Sequence, residues 1–348
     1  MTGEILRATP FHTRAAGSNR LNDWQNRGGF TLPWSYGDAE GEALAARFGA
    51  VLADQSWHTR IMINGESAGA FVSLLFTRDA TALAPGEALK ALWLNDAGGV
   101  RGRGIVARFG RDAYLLIAEA SDLKWIEQAG RLFHVAARDV TAEDGVLALV
   151  GPYASQVLEA AGIDAKLEPL AFRKFYWRGL DVTLSRFGEG YELWSKPDDA
   201  LVVWDRLCAA GKPFALTPAG LAATDILSLE HGEVRDFARA EGGFSPEPTP
   251  QSLGLCDLID REHVFNGRAG FLAAGPDKAL TGILIDGQTP APHAALMRDG
   301  RAVGRTLDSL YSPALRQAIA LGVLNTDTPA AGLTVNGVSC RTCALPFL

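Results

Sequence analysis

The alternation of apolar and polar residues changes period several times along the 348-residue chain, which predicts a mixture of helices and strands. Helical spacing governs Glu42 to Phe48, Ser67 to Leu75, Ser121 to Leu132 and Tyr153 to Ala161. Alternation in Arg60-Ile61-Met62-Ile63 predicts a strand closed by the Asn64-Gly65 turn. Leu92 to Val106 and Arg108 to Ile117 read as two strands joined through a glycine-rich turn, and Val146 to Val150 as a strand opening a second, similar half. The helical pattern is plainest in Leu216 to Gly232, where Leu221, Ala222, Asp225, Leu229 and Gly232 recur, with Thr217-Pro218 before the run as a start signal and Gly232 as its stop. Asp225 and Glu230 stand out there, because burying a carboxylate costs on the order of several kcal/mol unless hydrogen bonds or a cation meet it.

Residues 1 to 40 read as loop-rich, with Trp24, Phe30, Trp34 and Tyr36 plugging a core or lining a pocket mouth. Glu241 to Gln251, with three prolines and two glycines, reads as a linker. Beyond it Thr281 to Ile285 and Arg301 to Arg305 predict strands of an all-β terminal module that ends at Leu333 to Leu348. The mixed order predicts an α+β class and not a doubly wound sheet, and the glycines near 98 to 104 lack the strand, helix and distal acid of a dinucleotide fingerprint.

Net charge is −7 and the basic residues are scattered, which argues against a nucleic-acid partner. The first thirty residues lack the apolar run of a signal peptide and no membrane-length apolar stretch follows, so no membrane partner is expected and the cytoplasm is the simplest location. Four cysteines make no disulfide framework in a chain this long. Cys340 and Cys343 form a C-x-x-C without a second pair, so no metal is expected.

In Gly220, Leu221, Ala223, Asp225, Leu227, Leu229, Glu230 and Gly232 the chain resembles the signature helix of the glycine-cleavage T-protein superfamily, the folate-dependent aminomethyltransferases. The likeness extends to GFTLPWSYGDAEGEALAAR, to the stretch from Leu52 to Ala80, to DGRAVGRTLDSLYSPALRQAIALGVL and to the final Leu345 to Phe347. It implies a three-domain ring: a first folate-binding-type α+β domain over residues 1–145, a second over 146–250, and a linker with a C-terminal β-barrel over 251–348.

That resemblance also implies a site. Where the family has Gly-Gly-x-x-Asp-Asp, this chain has Arg101, Gly102 and Arg103 beyond the glycine pair, so the family acid beside the folate nitrogen is missing. Two arginines favour an anionic substrate, a phenolate or carboxylate, over an amine. Asp54 to Thr59, DQSWHT, resembles the aryl O-demethylase branch, which implies Trp57 stacking on an aromatic ring and His58 exchanging a proton with a phenol-like oxygen near neutral pH. Catalytic roles are thus expected for His58, Arg101 and Arg103, and substrate contacts for Tyr36, Trp57, Tyr191, Thr224 and Asp225. Glu189 and Glu192, in the family's pterin-contacting run, would hold the cofactor. Tetrahydrofolate is the implied cofactor, while the lost acid and Thr224, in place of a family arginine, weigh against it. Three readings follow: tetrahydrofolate-dependent O-demethylation of a small lignin-type methoxyaromatic, a folate-independent lyase releasing formaldehyde from a hydroxymethyl aromatic dimer, and a non-catalytic folate-binding protein.

Overall fold

A computed structural model describes residues 6–234, 248–275, 278–329 and 331–348. The chain divides into two compact units, the first made of Met1–Val72, Ala80–Lys90 and Gly104–Thr224, the second of Ser73–Asp79, Ala91–Arg103 and Asp225–Leu348.

The first unit is built on a six-stranded sheet in the order Phe172–Trp177, Leu180–Ser185, Tyr191–Ser195, Gly145–Val150, Val51–Asp54, Thr217–Ala219. Its neighbours are antiparallel except the last pair. Both faces are buried, because alternate residues along each strand serve different cores. Leu52, Leu147, Leu149 and Leu193 pack with Val157 and Leu158 of the helix Ala154–Ala160 and with Val203 and Leu207 of Ala200–Gly211. Val146, Phe172 and Trp194 meet Ala107, Leu115 and Ile117, which come from a second sheet. That sheet runs in the order Ala88–Leu94, Val100–Gly110, Ala113–Ala118, Thr59–Asn64, Ala136–Asp139.

In the second unit Lys278–Ile285, Gln317–Asn325, Arg301–Ser312, Ala295–Arg298, Leu333–Val335 and Val338–Cys343 close into a barrel. Ile283, Ile285, Leu296, Ala320, Leu333 and Val335 form its core. The mixed α+β class and the C-terminal barrel agree with the sequence reading.

Several local expectations shift. The N-terminal region is not loop alone: it contains the helix His12–Ser18 and a hairpin of Trp24–Arg27 with Phe30–Pro33. Gly28 and Gly29 turn that hairpin at φ of +59° and +78°, conformations that favour glycine. Arg108 to Ile117 is not one strand, since a turn separates Val100–Gly110 from Ala113–Ala118. Thr217 and Pro218 lie in a short strand parallel to Val51–Asp54, ahead of the helix Leu221–Glu230. The first residues of the linker expected at Glu241 to Gln251, 241–247, lie outside the described residues. Glu230 is braced internally, its carboxylate accepting the Ser312 hydroxyl while its carbonyl accepts the Phe347 N–H at 2.9 Å. No helix among the described residues is long and apolar enough to cross a membrane.

Candidate functional site

The turn Gln55 to His58 links the last residue of one sheet in the first unit, Asp54, to the first strand residue of the other, Thr59. Three of its four residues are held by hydrogen bonds. Gln55 N–H donates to the Val146 carbonyl at 2.9 Å, the Val146 N–H donates to Ser56 Oγ at 3.1 Å, and the His58 N–H donates to the Gln55 carbonyl at 3.2 Å. From the N-terminal side the hairpin comes close enough that a Cβ on Gly28 would lie 2.9 Å from the Trp57 carbonyl oxygen. Glycine is therefore required there, and the approach brings Arg27 over the Trp57 ring, 5.3 Å from its centroid.

Trp57 is 6% exposed and packs with Phe30, Leu32 and Leu221. Its indole contacts the next side chain: the His58 ring lies 4.1 Å away, tilted by 44°. The Trp57 Nε1–H and the Gln55 side-chain oxygen are buried without a hydrogen-bond partner among the described residues. Orphaned polar atoms cost about 1–3 kcal/mol each, and this turn carries two of them. The half-buried His58 imidazole is pushed down to about 3, chiefly by burial and then by the cations of Arg60 and Arg27. Burial and the two nearby cations thus favour the uncharged imidazole.

Arg60 lies beneath the turn at 1% exposure. Its Nη2 donates to the carbonyls of Ser56 at 3.3 Å, of Asp144 at 2.9 Å and of Thr141, and its guanidinium lies 5.4 Å from the Trp194 ring centroid. The Trp194 indole N–H donates to Ser185 Oγ at 3.0 Å and to Glu192 Oε2 at 3.2 Å, and the Ser185 hydroxyl donates to the same oxygen at 2.8 Å. Burial pushes the Glu192 carboxyl up, against the pull of Ser185, Trp194 and Arg60. Arg27 and Arg60 escaped the sequence reading; the signals were an arginine ahead of Gly28-Gly29 and a charged residue heading an apolar strand.

The other expected residues lie on several elements of the two units. Glu189 is exposed on the bend before Tyr191–Ser195. Tyr191 and Tyr36 pack against the helix-covered core, so Tyr191 and Glu192 stand on opposite faces of their strand. Burial, then Asp54 and Glu42, raise the Tyr36 phenol above its usual value. The Thr224 hydroxyl donates back to the Leu221 carbonyl at 2.9 Å. Asp225 is 6% exposed and belongs to the second unit.

Arg101 and Arg103 also belong to the second unit, Arg101 exposed and Arg103 half-buried, 3.9 Å from the Glu233 carboxylate. Between them Gly102 admits no side chain, since a Cβ would lie 2.1 Å from the Trp93 ring. Trp93 is buried and packs edge-on against Phe76 at 6.0 Å. Gly102→Ala is expected to destabilise the protein by about 1–3 kcal/mol through overpacking, read as a lower urea midpoint. An unchanged midpoint would show that Trp93 moves aside freely.

Comparison with known proteins bears on this arrangement. Residues 18–260 match the family described as GCVT N-terminal domain, and residues 278–346 match the glycine cleavage T-protein C-terminal barrel domain. The chain belongs to the glycine-cleavage T-protein family. An aminomethyltransferase of Frankia alni is 33% identical over 328 residues, 89% of this chain and 87% of that protein. Another, from Geobacillus kaustophilus, is 31% identical and covers 88% of each chain. The fold matches the crystal structure of glycine cleavage system aminomethyltransferase T from Bartonella henselae with a TM-score of 0.87, at 23% identity, over 99% of this chain and 98% of that one. In this chain the Gln55–His58 turn and the Glu192 cluster lie in the first unit, within the residues that match the N-terminal domain.

Proposed function

We propose that the protein transfers a one-carbon group from a small anionic aromatic to tetrahydrofolate, in the manner of a methoxyaromatic O-demethylase. One observation carries the reading: the His58 ring lies 4.1 Å from the Trp57 ring, the Arg27 guanidinium 5.3 Å over that same indole, and burial with the charges of Arg60 and Arg27 pushes the imidazole down. Positive charge around an aromatic pair suits a carboxylate or phenolate and disfavours an ammonium group.

Glu192 fits a pterin. Its two bonds, from Ser185 and Trp194, both fall on Oε2, which leaves Oε1 to accept from paired N–H donors of the kind a pterin ring presents. Bound tetrahydrofolate would supply N5 as the acceptor of the methyl group. The protein's own part is to bind the aromatic anion and to stabilise the negative charge that gathers on the departing oxygen. Neutral His58, the Trp57 N–H and the Arg27 guanidinium suit that task, since none needs to exchange a proton as the charge develops.

The same imidazole argues against the formaldehyde lyase. That reaction starts with removal of a hydroxyl proton by a base matched to the working pH, and burial, which pushes the His58 imidazole down, weakens it as that base. The test is incubation of the purified protein with a methoxybenzoate and, separately, a hydroxymethylated aromatic, each with and without tetrahydrofolate. Methyl-tetrahydrofolate and the free phenol are expected in equal amounts from the methoxybenzoate only when folate is present. Formaldehyde appearing without folate would establish the lyase instead, and turnover of an aminomethyl donor alone would restore the chemistry for which the relatives are named.

A further inference from the structure

Asp54 is 7% exposed and has no part in the transfer described above, yet a carboxylate is costly to bury. Its environment shows how that cost is used. The Thr9 hydroxyl donates to Oδ2 at 2.5 Å, and the Ser56 N–H donates to Oδ1 at 2.9 Å. Burial pushes the carboxyl up; the bonds from Ser56 and Thr9 and the charge of Arg60 pull it back. Thr9, also buried, comes from the N-terminal segment, between Arg7–Ala8 and His12–Ser18. Ser56 ties the turn to Val146 through its hydroxyl, beside the Gln55 N–H, and to Arg60 through its carbonyl. One carboxylate thus joins the N-terminal segment to the residue that immediately precedes Trp57 and His58.

We propose that Asp54 is a positioning residue for the aromatic-binding turn, fixing Ser56 so that the Trp57–His58 pair keeps one orientation toward the substrate, with Thr9 as the second anchor. This rests on the reading of that turn as the donor site. Asparagine at 54 keeps an acceptor oxygen for the Ser56 N–H, and its amide can donate to the Thr9 oxygen once the hydroxyl reverses. Alanine keeps neither bond.

The experiment compares Asp54→Asn, Asp54→Ala and Thr9→Val by two readouts: steady-state demethylation, and the rate at which diethyl pyrocarbonate acylates His58, followed by mass spectrometry of its peptide. For Asp54→Ala, kcat is expected to fall by up to roughly a hundredfold, the loss that misplacement by about 1 Å produces, with KM for tetrahydrofolate unchanged and the His58 acylation rate altered. Asp54→Asn is expected to recover most of both quantities, and Thr9→Val to fall between. Asp54→Ala with wild-type kcat and wild-type acylation would overturn the proposal, as would a loss of kcat that merely equals the unfolded fraction measured by circular dichroism. If the wild-type protein demethylates no methoxyarene, and His58 acylation still changes in Asp54→Ala but not in Asp54→Asn, the transfer reading fails and the positioning role stands.

Discussion

Arg60→Met is expected to destabilise the protein by about 3–5 kcal/mol. The guanidinium reaches the carbonyls of Ser56, Thr141 and Asp144 from one nitrogen, and methionine leaves all of them without that donor. Methionine fills a similar volume, so the loss comes from unmet oxygens and from the contact with Trp194, and not from a cavity. Against a total stability of about 5–15 kcal/mol for an ordinary domain, such a loss is expected to lower soluble yield as well as the urea midpoint. Arg60→Lys is expected to recover part of it, since an ammonium donates to one or two carbonyls but lacks the planar fork. Arg60→Met within about 1 kcal/mol of wild type would mean that the three oxygens find other donors.

The frame of the molecule was legible because it follows from local periodicity. The helices Ala39–Phe48, Ala68–Leu75 and Ala154–Ala160 and the strands Thr59–Asn64 and Gly145–Val150 lie within a few residues of where the spacing puts them. Less legible were elements whose signal is weak or double. Trp24–Arg27 and Phe30–Pro33 are strands too short for alternation to show, and Thr217-Pro218 reads as a helix start while pairing as a strand. Arg60 was hidden for another reason. An arginine heading an apolar strand normally turns to solvent, and what holds it inside are carbonyls of residues 141 and 144, more than eighty positions away. The titration of His58 was hidden likewise: the sequence shows a histidine beside a tryptophan, but its burial and the nearness of Arg27 depend on a hairpin folded across the turn.

Acid is expected to separate wild-type protein from His58→Gln. The folded imidazole is depressed to about 3, whereas in the unfolded chain it titrates near the ordinary value of about 6.5. Between those values the unfolded state binds a proton that the folded state refuses, so this group costs wild type about 1.4 kcal/mol for each pH unit of acidification. Asp54, Glu42 and Glu192 act in the opposite sense, since burial raises their carboxyls and lets the folded state take protons first. Those carboxylates are present in both proteins and cancel in the difference. Urea midpoints measured from about pH 7 to about pH 4.5 are therefore expected to favour His58→Gln increasingly below about pH 6. In the proposed transfer the same neutrality is expected to govern the activity. Glutamine keeps an uncharged N–H and is expected to lose about tenfold in kcat/KM, whereas phenylalanine, which keeps a ring but no donor, is expected to lose about a hundredfold. If the stability difference between wild type and His58→Gln stays flat with pH, the imidazole titrates in the fold as it does in the open chain. The cationic, dry surroundings on which an anionic substrate depends would then be absent.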